Sequence, residues 1–226
     1  MGDQRHPPAD RRPLASRNLT VFRVAAAWLA RRRVSPNAIS IMSVVFAIGA
    51  GCTLAATSWT EGWWARWWWL AAAALVQLRL LANMLDGMVA IESGKESRLG
   101  QLFNEVPDRL SDAAILIGVG YSTGGSPVLG YLAALMALLV AYVRAMGGVA
   151  GAGQVFTGPM AKPQRMFLVT IVCLYCGLTS LAWQPMQPQT GMGLTAAALA
   201  VILLGGSLTA VRRLLRIASL LKEQAP

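Results

Sequence analysis

The chain has 226 residues, of which 55% are hydrophobic and only 13% charged, and its mean hydropathy is +0.51. That is the length of one domain, and the composition excludes an ordinary water-soluble one. Lys and Arg total 20 against 10 Asp and Glu, a net charge of +10. These bases cluster between long apolar runs rather than along one face, which points to a membrane protein and away from nucleic acid.

Residues 1–18 are polar and rich in Pro and Arg, with no apolar core of the kind a signal peptide needs. Leu19, Val21, Phe22, Val24, Ala25, Trp28 and Leu29 then recur at near-helical spacing beside Arg23 and Arg31 to Arg33. This predicts an amphipathic helix lying on anionic lipid and stopping near Ser35-Pro36, because the residue before proline is disfavoured in the helical region. Six segments follow, at approximately 37–57, 65–90, 104–121, 127–148, 165–183 and 191–211, each apolar enough to cross a bilayer as a helix of about 20 residues. The expected fold is thus all-α, a polytopic bundle of six transmembrane helices behind a cytoplasmic amphipathic helix. Its divisions are an arm and amphipathic helix at 1–34, the membrane domain at 35–212 and a basic tail at 213–226.

Loop charge orients this bundle. Eight arginines precede the first span, Lys95 and Arg98 lie between spans two and three, Lys162 and Arg165 between four and five, and Arg212, Arg213, Arg216 and Lys222 follow the sixth. The loops at 58–64, 122–126 and 184–190 hold no Lys or Arg. The positive-inside rule therefore places both termini in the cytoplasm, as in a bacterial inner membrane protein, with Trp59, Trp63, Trp64, Trp67, Trp68 and Trp69 as an aromatic belt on the far side. Cys52, Cys173 and Cys176 sit in apolar runs and read as small packing residues, not as a disulfide or zinc framework. Gly205, Gly206 and Ser207 would suit close helix packing, a homodimer contact included.

Ionisable groups inside a membrane are expensive, so a cluster of them marks a candidate site. Asn83 and Asp86 are three apart at the cytoplasmic end of span two; Asn104, Asp108 and Asp112 are four apart at the start of span three, beside Glu105 and Arg109. Either spacing keeps side chains on one helical face. Carboxylates together with amide oxygens suit a hard cation, Mg²⁺ or Mn²⁺, rather than zinc. Gly87 and Gly100 leave room for a bulky ligand. The competing explanation, helix capping, accounts for Glu105 but not for Asp86.

Asn83-Met-Leu-Asp86-Gly87-Met-Val-Ala90-Ile91, eight residues, then Gly100-Gln-Leu-Phe-Asn104-Glu-Val-Pro-Asp108 resembles the signature of the CDP-alcohol phosphotransferases, Asp-x2-Asp-Gly-x2-Ala-Arg-x8-Gly-x3-Asp-x3-Asp. The Pro36-Asn37-Ala-Ile-Ser40 start of span one and Tyr142-Val-Arg144-Ala also fit. The resemblance implies transfer of a phosphatidyl or substituted phosphoryl group from a CDP-linked lipid donor, CDP-diacylglycerol being expected, to a small alcohol with release of CMP. It further implies Mg²⁺ or Mn²⁺ held at Asn83, Asp86, Asn104 and Asp108, with Asp108 also the base that takes the acceptor proton. Nucleotide contacts would fall on Pro36, Asn37, Gly87, Ala90, Ser97 and Gly100. Acceptor contacts would fall on Arg144, Lys162, Arg165 and Arg109.

The sequence departs from the signature in three places. Asn replaces Asp at 83 and at 104, and Ile91 replaces the arginine. Asp112 and Glu105 are the residues placed to restore negative charge, and Lys95, Arg98 or Arg109 those placed to replace the arginine. An active variant with altered metal use fits the surviving base position and nucleotide contacts. An inactive homologue that binds lipid or nucleotide, and an ion-coupled transporter, are the alternatives, although no repeated halves support the latter.

Overall fold

The computed structural model describes residues 20–94 and 98–224, with side chains described from Glu105 onward in the segment that begins at Arg98. It is all-helical among the described residues. The order is α1 (Thr20–Arg31), α2 (Pro36–Ala56), α3 (Gly62–Glu92), α4 (Arg98–Tyr121), α5 (Pro127–Val149), α6 (Lys162–Leu178) and α7 (Leu194–Glu223), with one 3-10 turn at Leu181–Trp183. Prolines mark three starts: Pro36 and Pro127 open α2 and α5, and Pro163 follows Lys162 in α6, positions where the missing N–H costs nothing.

Each helix buries one stripe. On α2 it is Ser40, Ser43, Ala47, Ala50, Gly51 and Leu54; on α3 it runs Trp69, Ala72, Ala73, Val76, Arg79, Ala82 and Asp86. The three- and four-residue steps are those of a helix facing a core on one side and lipid on the other. The residues are small, so backbones come close: a Cβ on Gly118 of α4 would lie 2.5 Å from the Gly51 Cα of α2. That approach explains two glycines in apolar helices, where each costs about 1 kcal/mol relative to alanine.

Four helices, α2, α3, α5 and α7, are long and apolar enough to cross a membrane. Of the six expected spans, α4 carries Glu105, Asp108, Arg109 and Asp112 around its middle, and α6 has 17 residues. Other expectations also change. Trp69 is buried in the core, not in the belt, because it falls on the α3 stripe; Trp59, Trp63, Trp64 and Trp67 are exposed. Residues 213–223 are helix, continuous with the last span. Gly205 and Gly206 face Met160 and Met136 of the same chain, a Cβ on Gly206 meeting Met136 Cγ at 2.5 Å, so their smallness is explained without a second copy. Cys173 and Cys176 are buried packing residues, as expected.

Helix α1 packs Phe22, Ala26 and Leu29 against Met84, Leu85, Met88 and Val89 of α3, while Val21, Val24 and Trp28 are exposed. It ends at Arg31, and Arg33 adopts φ 57 before the chain turns into α2. Leu19 lies outside the described residues.

Candidate active site

The helices run alternately up and down, which brings the starts of α2, α4 and α6 and the ends of α3, α5 and α7 to one end of the bundle. Among the described residues the buried charged side chains, Arg79, Asp86, Asp112, Arg165 and Arg213, lie between that end and mid-helix. The opposite end is stitched by neutral hydrogen bonds: Thr123 N–H to Thr57 Oγ1 at 3.0 Å, Thr123 Oγ1 to the Thr57 carbonyl at 2.7 Å and Gly193 N–H to the Gly124 carbonyl at 2.8 Å. Trp68 and Asp86 on α3 are eighteen residues apart, about 27 Å of helix. With the tryptophans at one boundary, Asp86 reaches the other edge of an apolar layer about 30 Å thick.

Asp86 is 2% exposed and accepts a 2.7 Å hydrogen bond on Oδ2 from Ser40 Oγ. Ser40 Oγ also lies 3.2 Å from the Pro36 carbonyl, so the Pro36-Asn37 start of α2 is tied to the Asp86 carboxylate. One turn before Asp86, Asn83 lines a cavity of about 620 Å³ with Glu105, Asp108, Arg109, Arg144, Lys162 and Arg165. Leu80, Leu81, Met84, Ala137, Val140, Ala141 and Phe167 form its apolar walls. It thus offers a charged end and a lipid-compatible side.

Asp108 accepts from Lys162 Nζ at 2.6 Å and from Arg79 Nη2 at 3.3 Å, both on Oδ1; Oδ2 has a looser 4.0 Å contact with Arg109. Asp112 is 2% exposed, and both of its oxygens are taken, Oδ1 by Arg79 at 2.8 Å and Oδ2 by Arg165 at 2.6 Å. Glu105 pairs with Arg144 at 2.7 Å and Arg109 at 2.9 Å. Asp112 and Glu105, read from the sequence as supplementary metal ligands, are therefore held by arginines from neighbouring positions. Arg165 lines the cavity but is only 2% exposed, held by Asp112 and the Met160 carbonyl. Arg144 also stacks over Phe156 at 5.7 Å.

Gly87 is helical, and a Cβ there would meet nothing within 4 Å. Packing among the described residues does not explain this glycine. Ala90 is half-buried in the last turns of α3, and Ile91, at the motif arginine position, is exposed. Ser97 and Lys95 lie outside the described residues, as do the side chains of Arg98 and Asn104; Gly100 is described only as part of the α4 backbone.

Two residues of the site had no assigned role from sequence. Ser40 gives no signal of its own in a small-residue run. Arg79 does: it lies four before Asn83 and seven before Asp86, on the same face, and a buried guanidinium inside an apolar span demands an acidic partner. Among the described residues no three His, Cys, Asp or Glu side chains gather around a metal-sized space. A hard cation would find carboxylate and amide oxygens at Asp86, Asn83 and Asp108, of which Asn83 and Asp108 line the cavity.

A membrane bundle with carboxylates where α3 meets α4 and a half-apolar cavity beside them has a pocket with both a charged and an apolar wall. The particular family follows from comparison. The chain matches the CDP-alcohol phosphatidyltransferase family over residues 33–209 and belongs to it. It is similar to the phosphatidylinositol phosphate synthase of Mycolicibacterium smegmatis, 27% identical over 69% of this chain and 67% of the relative. It is also similar to that of Streptomyces avermitilis, 24% identical over 91% and 80%. The archaetidylinositol phosphate synthase of Pyrococcus horikoshii is 30% identical over 41% of this chain and half of the relative's length. The fold is shared with the crystal structure of Mycobacterium tuberculosis phosphatidylinositol phosphate synthase with CDP-DAG bound, with a TM-score of 0.69, 19% identity, and coverage of 88% of this chain and 94% of that one. It is shared equally with that enzyme in complex with manganese and citrate, with a TM-score of 0.68, 20% identity, and coverage of 87% and 88%. The chain is a multi-pass membrane protein with a phospholipid-synthesis transferase fold.

Proposed function

We propose that this protein transfers a phosphatidyl group from CDP-diacylglycerol to a small alcohol that itself carries an anionic group, releasing CMP. The observation that carries this reading is the cavity: Asp108 and Asn83 stand at its polar end, Arg109, Arg144, Lys162 and Arg165 flank them, and apolar side chains of α3 and α5 continue the wall. The cytidine diphosphate would sit beside Asp86, Gly87 and the Pro36-Asn37 turn, with the acyl chains along the apolar wall. Basic residues exceed acidic ones around the cavity, which favours an acceptor such as a polyol phosphate, whose oxygens match guanidinium donors.

In this reading Asp108 Oδ1 is oriented by Lys162 and Arg79, leaving Oδ2 to take the acceptor hydroxyl proton. The acceptor oxygen then bonds to the phosphorus that carries the diacylglycerol, the bond from that phosphorus to the CMP oxygen breaks, and CMP leaves with its electron pair. A divalent ion at Asp86, Asn83 and Asp108 would draw charge from the diphosphate and so favour departure. Lys162 and Arg165 reach this end from α6, so one helix serves both Asp108 and Asp112.

We further propose that α2 to α7 all cross the membrane, with both termini and the active site cytoplasmic, since the charged loop ends of α3, α5 and α7 coincide with the site. The shielding of Asp112 and Arg165 inside the bundle is what lets α4 and α6 do so. The test is CMP release by purified protein supplied with CDP-diacylglycerol, Mg²⁺ or Mn²⁺ and a panel of alcohols and alcohol phosphates. Release that depends on an acceptor and disappears in Asp108→Ala supports the reading; no release with any acceptor refutes it.

A further inference from the structure

Besides Glu105 and its partners Arg109 and Arg144, three carboxylates at the site end, Asp86, Asp108 and Asp112, stand among three cations, Arg79, Lys162 and Arg165, two of which are 0–2% exposed. The signature that the sequence resembles has four aspartates, and the resemblance implies two divalent ions held by them. Here two of those aspartates are asparagines, and one that remains, Asp108, already touches a lysine at 2.6 Å and an arginine at 3.3 Å. A pair of dications about 3.5–4 Å apart repels strongly and needs the full set of carboxylates around it. The residues present do not supply that charge for two ions, and Arg79 holds a fixed positive charge 3.3 Å from Asp108 that would repel a second one. Arg79 lies one turn from Asn83 on α3 and reaches across to both Asp108 and Asp112 on α4.

We infer that Arg79 takes the place of one divalent ion, so that this centre holds a single Mg²⁺ or Mn²⁺, at Asp86, Asn83 and Asp108. This rests on the transferase reading of the site and deepens it. Arg79 is a positioning residue: fully buried, it acts by fixing Asp108 Oδ1 and by contributing a charge that no chelator removes. Its Nε and Nη1 have no partner among the described residues. Such incomplete pairing of a buried guanidinium is costly for a merely structural bolt and suits a group kept for its charge.

The experiment is Mn²⁺ titration of the purified full chain in detergent without substrate, read by electron paramagnetic resonance, with CMP release measured on the same preparation. The expected wild-type result is one Mn²⁺ per chain, with the hyperfine pattern of an isolated ion and no spin-coupled pair. Asn83→Asp should keep that stoichiometry and tighten binding about tenfold; Asn83→Asp with Arg79→Met should gain a second, spin-coupled ion. Two ions in the wild type, none in the wild type, or one in the double variant would each overturn the inference. If the double variant does not fold, the wild type and Asn83→Asp decide alone, a second ion in either being the refuting result. Two ions with CMP release would reject the inference and leave the transferase reading; one ion without CMP release would do the reverse.

Discussion

The Asp112→Asn substitution isolates the electrostatics of the bundle from its packing, because the side chain keeps its shape and loses only its charge. Asp112 receives Arg79 from α3 at 2.8 Å and Arg165 from α6 at 2.6 Å, and all three side chains are 0–2% exposed. Removing this carboxylate charge leaves Arg165 without a counter-charge and Arg79 with only its 3.3 Å contact to Asp108, and costs about 3–5 kcal/mol. For a chain of this size that lowers the melting temperature by about 6–20 °C. The assay is thermal unfolding in detergent, followed with a thiol-reactive dye: Cys173 and Cys176 are buried and become reactive only when the core opens, and Cys52→Ser removes the exposed background. A companion variant, Arg79→Met with Asp112→Leu and Arg165→Met, removes all three charges and should recover most of the loss, as replacement of whole buried ionic groups often does. A shift below about 2 °C for Asp112→Asn, or a triple variant less stable than the single one, would refute the counter-charge argument.

Gly87→Ala should leave stability unchanged or raise it by about 0.5–1 kcal/mol, since the new methyl enters open space in a helix, while weakening CDP-diacylglycerol binding; unaltered KM for the donor would remove Gly87 from the nucleotide site. Gly118→Leu places side-chain atoms where the Gly51 backbone sits and should abolish folded protein in membranes, judged by monodisperse elution after detergent extraction; wild-type yield would mean that α2 and α4 are not so closely packed. Ser40→Ala deletes the hydrogen bond to the Asp86 carboxylate and should cost about 1.5–3 kcal/mol in thermal unfolding; an unchanged melting temperature would show that the bond contributes nothing net.

Much of the architecture is legible because membrane helices announce themselves by length and by proline. Pro36 and Pro127 fix two starts, and α5 was expected at 127–148 and found at Pro127–Val149. The last helix differs for a physical reason at either end. Its start moves to Leu194 because Gln187 and Met192 close a turn, with Met186 bridged to Gly193. Its tail stays helical because Ile217, Leu220 and Leu221 keep the core spacing and pack on Val143 and Val155, although Arg212, Arg213 and Arg216 look like a membrane flank. The sequence singles out Lys162, Arg165, Asp108 and Asp112, yet spacing does not say which carboxylate a cation takes. That choice depends on how α6 and α3 rotate against α4, and it separates Asp112, held on both oxygens, from Asp108, which keeps a looser edge.

The hydrogen bonds joining Thr57, Thr123 and the Gly124–Gly193 pair, together with the Gly51–Gly118 approach, lock the end of the bundle remote from the cavity. The other end is bound by apolar packing of α1 on α3 and of α7 on α5, and by ion pairs that meet across the cavity. Parting the helices around the cavity would therefore have to break the Lys162–Asp108 and Arg144–Glu105 pairs, whereas parting the threonine end would break neutral hydrogen bonds.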